Sequence, residues 1–253
     1  MNLNKFFEFK ESDFDPIKSF YLKDDLNPLV WDGNKIDKEI RSSLLKIGDD
    51  FFESTKLSSD VVDIVLVGSL CNYNWSEKYS DYDIHIIIKY SDINDDYDLV
   101  EKVCDLSKKK WNFENDIFIK GFEVEVAIQD ISDFRSTIKT DRMGGAFSLM
   151  KNKWIKSPKK SSFVLDEESI KTKSSIIMSR IDRIEDDIDD MKYDKFKEKI
   201  TIIWKKIKAM RQSGLEEGGE FGLGNLIFKF LRRNGYLGKI MNLKKYAYSN
   251  QFK

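Results

Sequence analysis

Two aspartates stand at the head of an apolar run in the first half of the chain. Asp81 and Asp83 lead into Ile84–Ile88, and Asp81 lies twelve residues after the pair Gly68-Ser69. Side chains two positions apart on a strand point to the same side, so both carboxylates are predicted on one face of a buried strand. Two anions held side by side repel each other unless a cation lies between them. The sequence therefore predicts a divalent-cation site next to a glycine-containing turn.

A second acidic strand is predicted further along the chain. Glu123 and Glu125 alternate with apolar residues in Phe122–Ile128, so they also share one face. Acidic side chains within such a run are costly to bury unless they are paired or bind a metal. Either glutamate could supply a third ligand, and Glu125 is preferred because it lies deeper in the apolar run. Oxygen ligands favour Mg²⁺ or Mn²⁺ over zinc, and three carboxylates fit two ions about 4 Å apart.

Four small residues are candidates for nucleotide contacts. Gly68 allows a backbone to approach a phosphate closely, and Ser69 is predicted to begin a short helix whose free amides favour an anion. Gly145 and Ser148 lie in a glycine-containing loop whose amides could contact a triphosphate or a ribose. Both features also have a plainer interpretation as ordinary turns. His85 is predicted on the face of the aspartates, either near the ligand or as a packed, hydrogen-bonded strand residue.

Hydrophobic periodicity divides the chain near residue 160 into a mixed α/β part, 1–160, and a helical part, 161–253. In the first part, helices are predicted over 36–54, 96–111 and 69 to about 77. Strands are predicted over 61–67, 81–89, 116–119 and 122–128, the last two joined by a turn at Lys120-Gly121. In the second part, helices are predicted over 166–191, 193–213 and 225–234, with a glycine-rich interruption over 214–224 and a helix end at Gly235.

Charge is unevenly distributed along the chain. Residues 196–253 contain 13 Lys or Arg and 4 Asp or Glu, so they carry a net charge of +9 and the remainder carries −10. A basic segment on an acidic body favours contact with a polyanion such as RNA or an NTP, although lysines also solvate amphipathic helices. Cys71 and Cys104 are too few for a disulfide framework. No run suits a membrane helix and Met1–Lys10 lacks a signal-peptide core, so we expect a cytoplasmic protein without membrane contact.

These motifs resemble those of the nucleotidyltransferases of the DNA polymerase β superfamily. The likeness is carried by Val67-Gly68-Ser69, by Asp81-Tyr82-Asp83 and by a third acid on a later strand. Within that superfamily the chain is similar to small nucleotidyltransferases predicted in bacteriophage genomes, which would place it in a host cytoplasm. The resemblance implies an α+β fold: a small mixed β-sheet with helices on one face, followed by an all-helical C-terminal domain.

The resemblance also implies a reaction. A nucleoside monophosphate would pass from an NTP to an acceptor hydroxyl with release of pyrophosphate, and Asp81, Asp83 and Glu125 would be the catalytic metal ligands. An RNA end is the favoured acceptor because the C-terminal part is basic; a protein, a small molecule or a second nucleotide are alternatives. Asn72-Tyr73 stands where cyclic-dinucleotide synthases have Gly-Thr, which disfavours a second-messenger product. A catalytically silent nucleotide-binding or interaction module is the alternative from another class.

Overall fold

The computed structural model describes residues 15–140, 143–160, 163–186 and 193–250, and these divide into two compact units. The first unit comprises the described residues between 21 and 160; the second comprises 15–20 and the described residues from 163 onward. The first contains β1 (Trp31–Asp32), β2 (Lys35–Ile36), α1 (Lys38–Thr55), β3 (Asp63–Val67), β4 (Tyr82–Ile88), α2 (Tyr97–Glu114), β5 (Phe118–Ile119), β6 (Phe122–Asp130), α3 (Ile131–Ile138), β7 (Ala146–Ser148) and β8 (Lys153–Lys156). The second contains a 3₁₀ turn (Pro16–Phe20), α4 (Glu167–Asp186), α5 (Tyr193–Gly218), α6 (Leu223–Arg233) and α7 (Tyr236–Asn250).

Six strands of the first unit form one mixed sheet, in the order β5-β6-β4-β3-β7-β8. β4 and β6 are parallel, whereas the other neighbouring strands are antiparallel. β3 is buried along its whole length, which accounts for the continuous apolar run that predicted it. The predicted α+β class, with a mixed sheet and a helical C-terminal part, is confirmed.

The two faces of this sheet are covered differently. Residues of α1 and α2 pack with Leu66 and its neighbours in the main hydrophobic core, on one face. Val65 and Ile87 lie on the other face, where Phe134 of α3 packs against them. Because side chains alternate along β4, Asp83 shares this second face with Ile87. The acidic residues therefore lie on the face that is opposite the main core.

Local sequence explains why several elements begin and turn where they do. The carboxylate of Asp37 accepts hydrogen bonds from the backbone amides of Glu39 and Ile40, both at 2.9 Å, and so caps the start of α1. The predicted turn between β5 and β6 is confirmed: Lys120 and Gly121 have φ values of 47° and 88°. Two successive positive φ values match the tight turns that join antiparallel strands.

Some predicted boundaries are wrong. The helix predicted from Ser69 to about residue 77 is only a 3₁₀ turn, Ser69–Cys71. The predicted interruption over 214–224 is too long, since α5 continues to Gly218 and α6 begins at Leu223. Residues 187–191 of the predicted helix 166–191 lie outside the described residues. The sequence reasoning also missed β1, β2, α3, β7, β8 and α7.

Cys71 and Cys104 are both free and buried. Burial, together with the nearby charge of Asp83, raises the pKa of the Cys71 thiol well above its ordinary value, so that thiol is inert as a nucleophile.

None of the described helices combines the length and the apolar character needed to cross a membrane.

Glycines allow α5 and α6 to approach each other closely. A Cβ atom built on Gly222 would lie 1.8 Å from the carbonyl oxygen of Gly214. One built on Gly224 would lie 2.1 Å from the carbonyl oxygen of Met210. Both distances are far shorter than any van der Waals contact. The two helices can therefore pack this closely only because Gly222 and Gly224 have no side chain.

We expect Gly224→Ala to destabilise the protein by about 1–3 kcal/mol, because the methyl group would push α6 away from α5. The matched control is Gly238→Ala in α7, where an added Cβ meets no atom within 4 Å among the described residues. That control should be neutral or should stabilise the helix by up to about 1 kcal/mol. Urea unfolding followed by circular dichroism measures both, and equal midpoints for the two variants would contradict the close contact.

Candidate metal and nucleotide site

Strand pairing brings three carboxylates together on one face of the sheet. Asp83 lies opposite Glu125 in the parallel pair β4–β6 and opposite Val67 in the antiparallel pair β3–β4. Asp81 directly precedes β4, two positions before Asp83. One carboxylate oxygen from each of Asp81, Asp83 and Glu125 lies within 4.8 Å of the other two. The three side chains are half-buried, so an ion bound between them would remain accessible from solvent.

The environment of Asp83 is unfavourable for its negative charge. Burial raises the pKa of this carboxyl group well above its ordinary value, and the charges of Asp81 and Glu125 raise it further. Lys108 acts in the opposite direction. A divalent cation among the three carboxylates would remove the repulsion that raises this pKa, and all the available donors are oxygen atoms, as Mg²⁺ and Mn²⁺ prefer.

Gly68 connects this cluster to the end of β3. Its φ is 79° and its ψ is −163°, a combination that is essentially restricted to glycine. A Cβ atom at Gly68 would lie 2.0 Å from Oδ2 of Asp83. The position thus requires glycine twice, for its backbone conformation and for the space that the Asp83 carboxylate occupies.

Serine hydroxyls hold the loop between β3 and β4. The hydroxyl oxygens of Ser69 and Ser80 lie 2.7 Å apart in a hydrogen bond. The oxygen of Ser80 also accepts a hydrogen bond from the backbone amide of Ser76, at 2.8 Å. These contacts fold the loop back on itself after the 3₁₀ turn, which explains why no longer helix forms after Ser69. They also hold Ser69 against Ser80, the residue that precedes Asp81 and the start of β4.

The two candidate glutamates differ in position although they share one side of β6. Glu125 belongs to the carboxylate group, whereas Glu123 does not. Glu123 is exposed and lies opposite Phe118 in the β5–β6 hairpin. The pairing of β6 with β4 therefore favours Glu125 as the third ligand.

Gly145 and Ser148 have different surroundings. A Cβ atom at Gly145 would lie 2.1 Å from the carbonyl oxygen of Cys71, so this loop packs against the turn that follows Gly68. Ser148 is fully buried and donates a hydrogen bond of 2.8 Å from its hydroxyl to Asp63, at the other end of β3. The predicted nucleotide contacts of both residues stay predictions.

His85 continues the row of polar side chains along β4. Its Nδ1 lies 2.8 Å from Oε1 of Gln129 on the adjacent strand. Burial lowers the pKa of His85, the bond to Gln129 opposes this, and the charge of Lys108 lowers it further. The imidazole is therefore neutral near pH 7. Its bond to Gln129 agrees with the interpretation of His85 as a packed, hydrogen-bonded strand residue.

Lys108 of α2 is a basic neighbour of the site that sequence reasoning missed. Asn112, one helical turn later, bonds both backbone groups of Val126 on β6, at 3.2 Å and 3.1 Å. These bonds hold α2 along the edge of the sheet, and Lys108 acts electrostatically on both Asp83 and His85. In the sequence Lys108 is one of three consecutive lysines, and only the orientation of α2 distinguishes it.

No protein-family model matches the chain, and no curated protein does. Among solved structures, the chain is similar to a STING-associated CdnE c-di-GMP synthase from Capnocytophaga granulosa. The two share 16% sequence identity with a TM-score of 0.24, and the match covers 86% of this chain and 83% of the other. A likeness at this TM-score adds nothing to the interpretation of the site, which depends on its own residues.

Proposed function

We propose that the chain is a divalent-metal-dependent nucleotidyltransferase. Asp81, Asp83 and Glu125 are its metal ligands, and Gly68 and Ser69 contact the triphosphate of an NTP. The observation that carries the proposal is the convergence of three carboxylates within 4.8 Å beside the Gly68 turn. Such a group is costly to maintain unless it binds a cation.

The proposed reaction uses the divalent cation and the NTP that these residues would bind. An acceptor hydroxyl oxygen attacks the α-phosphorus of the NTP, the bond from that phosphorus to the bridging oxygen breaks, and pyrophosphate leaves with the bonding electrons. The hydroxyl proton passes to solvent or to a nearby carboxylate. Mg²⁺ or Mn²⁺, when bound, supplies positive charge for the nucleophile and for the leaving pyrophosphate. Lys108 adds a positive charge that acts on Asp83.

An RNA end remains the favoured acceptor, for reasons that lie in the helical unit. Burial lowers the pKa of Lys229 on α6, and the charges of Arg233, Arg232 and Arg211 lower it further, whereas Glu220 opposes them. Lys229 and the three arginines are thus close enough to act on one another, and a group of basic side chains favours contact with a polyanion. The excess of 13 basic over 4 acidic residues in 196–253 supports the same partner.

Label transfer tests both the reaction and its acceptor. The protein is incubated with each NTP, labelled at the α-phosphate, with Mg²⁺ and with a cell extract. The proposal predicts pyrophosphate release and label on RNA. Label on protein would keep the reaction and change the acceptor, and binding of NTP without any transfer would favour the catalytically silent module.

A matched pair of variants tests the third ligand. We expect Glu125→Gln to lower the rate of pyrophosphate release by at least about 10²-fold, because an uncharged amide is a poor ligand for a divalent ion. Glu123→Gln makes the same chemical change two residues away on the same side of β6, at an exposed position. It should retain activity within about threefold, since it removes only a solvated charge. A larger loss in Glu123→Gln than in Glu125→Gln would reverse the assignment.

A further inference from the structure

A concave site lies in the first unit, away from the carboxylates. It is a cavity of about 500 Å³ between the β1–β2 hairpin, the start of α1 and the β7–β8 hairpin. That volume lies within the usual range of small-molecule sites. Four basic residues line it: Lys35, Lys38, Arg41 and Lys153. No acidic residue is among its lining within the described part of the chain.

The alternation of side chains places this pocket on the opposite face of the sheet from Asp83. Ile36 and Phe147 line the pocket and also belong to the main core, which lies on the face covered by α1 and α2. Phe147 pairs with Leu66 in the sheet, whereas Asp83 faces the other way. A molecule in this pocket is therefore distinct from an NTP held by the three carboxylates.

The charges of the pocket are not neutralised locally. Within the described residues, Lys35, Lys38 and Lys153 have no carboxylate within 4.0 Å. The nearest acid along the chain, Asp37, caps α1 and lies 3.3 Å from Lys120. Three exposed lysines thus border one cavity, an arrangement that attracts phosphate groups.

Two rigid side chains give the pocket its shape. Arg41 donates from Nε to the carbonyl oxygen of Leu149, at 2.7 Å, and from Nη2 to that of Met150, at 3.1 Å. Trp154 donates from Nε1 to the carbonyl oxygen of Asn34 at 2.9 Å. One face of its ring stacks on Trp31, with centroids 4.5 Å apart and an angle of 23°. The half-buried indole thus presents a fixed aromatic surface beside the lysines.

We propose that this basic pocket binds a nucleoside phosphate, with phosphate oxygens on Lys35, Lys38 and Lys153 and the base against Trp154. Stacking on an aromatic ring combined with cationic contacts to phosphate is the usual way in which proteins hold nucleotides of any sequence. The same chemistry is offered by a free nucleotide and by one nucleotide of a single-stranded RNA. Binding here does not depend on the metal site or on the proposed transferase activity.

Tryptophan fluorescence tests the pocket in the full-length protein. The protein is titrated in EDTA with ADP, with a ten-nucleotide single-stranded RNA and with inorganic tripolyphosphate. Excluding divalent ions leaves the carboxylate site without its proposed cation. We expect saturable quenching by ADP, by the RNA or by both, and loss of that quenching in Trp154→Phe. Quenching by ADP assigns a free nucleotide, and quenching by RNA alone assigns a nucleotide of a strand.

Charge reversal tests whether binding depends on the lysines of the pocket or on positive charge elsewhere on the protein. The triple variant Lys35→Glu, Lys38→Glu, Lys153→Glu should bind at least about tenfold more weakly, because it replaces three phosphate-binding cations. The control Lys46→Glu, Lys102→Glu, Lys110→Glu makes the same net change at exposed lysines of α1 and α2. Lys153→Glu alone, expected to weaken binding severalfold, replaces the triple variant if that variant does not fold. Equal affinity in the pocket variant and its control, no saturable binding by ADP or RNA, or equal quenching by tripolyphosphate would each overturn the proposal.

Discussion

Replacing Asp83 with Asn is expected to abolish pyrophosphate release while leaving the protein folded. Asp83 is the central carboxylate of the group, opposite Glu125 in the sheet and two residues from Asp81. Loss of a group that holds the charge stabilising the reacting phosphates costs about 10²–10³-fold in rate or more. Asp81→Asn should have a similar effect. Asp60→Asn, at an exposed position before β3, is the matched control and should keep full activity.

The Asp83→Asn variant should gain stability although it loses activity. Because the folded state raises the pKa of Asp83, its ionisation costs stability once the pH rises above the ordinary pKa of a carboxyl group. Asp83→Asn removes that cost, so at pH 7 in EDTA the variant should unfold at a higher temperature than the wild type. Mg²⁺ should stabilise the wild type but not the variant. A variant that loses activity and stability together would indicate a purely structural role.

Gly68→Ala is expected to reduce both the stability and the activity of the protein. The backbone conformation of Gly68 costs about 1–3 kcal/mol for any other residue. In addition, the new Cβ would lie 2.0 Å from Oδ2 of Asp83, so the carboxylate must rotate away from the other two. We therefore expect both a loss of stability and a loss of pyrophosphate release of at least about 10²-fold.

Gly121→Ala separates the two effects of that substitution. Gly121 has a φ of 88°, but an added Cβ there meets no atom within 4 Å among the described residues. This control should lose stability through backbone strain and keep its activity. Thermal melting and pyrophosphate release are measured for both variants. Full activity in Gly68→Ala would contradict the proposed coupling of the turn to the carboxylates.

The strands of the site could be predicted from sequence because their causes are local. The apolar runs of β3 and β4 reflect burial on both faces of a central strand, and the shared face of Asp81 and Asp83 follows from the period of two. That period could not choose between Glu123 and Glu125, because both have the same parity. The choice depends on the register of β6 against β4, which the distant pairing of the strands sets.

Other features of the site depend on contacts between residues that are far apart in sequence. Ser148 bonds Asp63 across 85 positions, and nothing in the loop around Ser148 indicates that partner. Lys108 acts on Asp83 from α2, whose position is held by the hydrogen bonds of Asn112 to Val126. The length of the turn after Ser69 is likewise set by Ser80, eleven residues later. The predicted helix from Ser69 to about residue 77 was therefore too long.

Binding of Mn²⁺, followed by the electron paramagnetic resonance signal of the free ion, tests the central claim most directly. Relative to a non-hydrolysable NTP analogue alone, addition of wild-type protein should deplete free Mn²⁺ further, and addition of the double variant Asp81→Asn, Asp83→Asn should not. Addition of Mg²⁺ should release the bound Mn²⁺ by competition. Equal depletion by the wild type and the double variant, or no depletion by the wild type, would contradict a metal site formed by Asp81, Asp83 and Glu125.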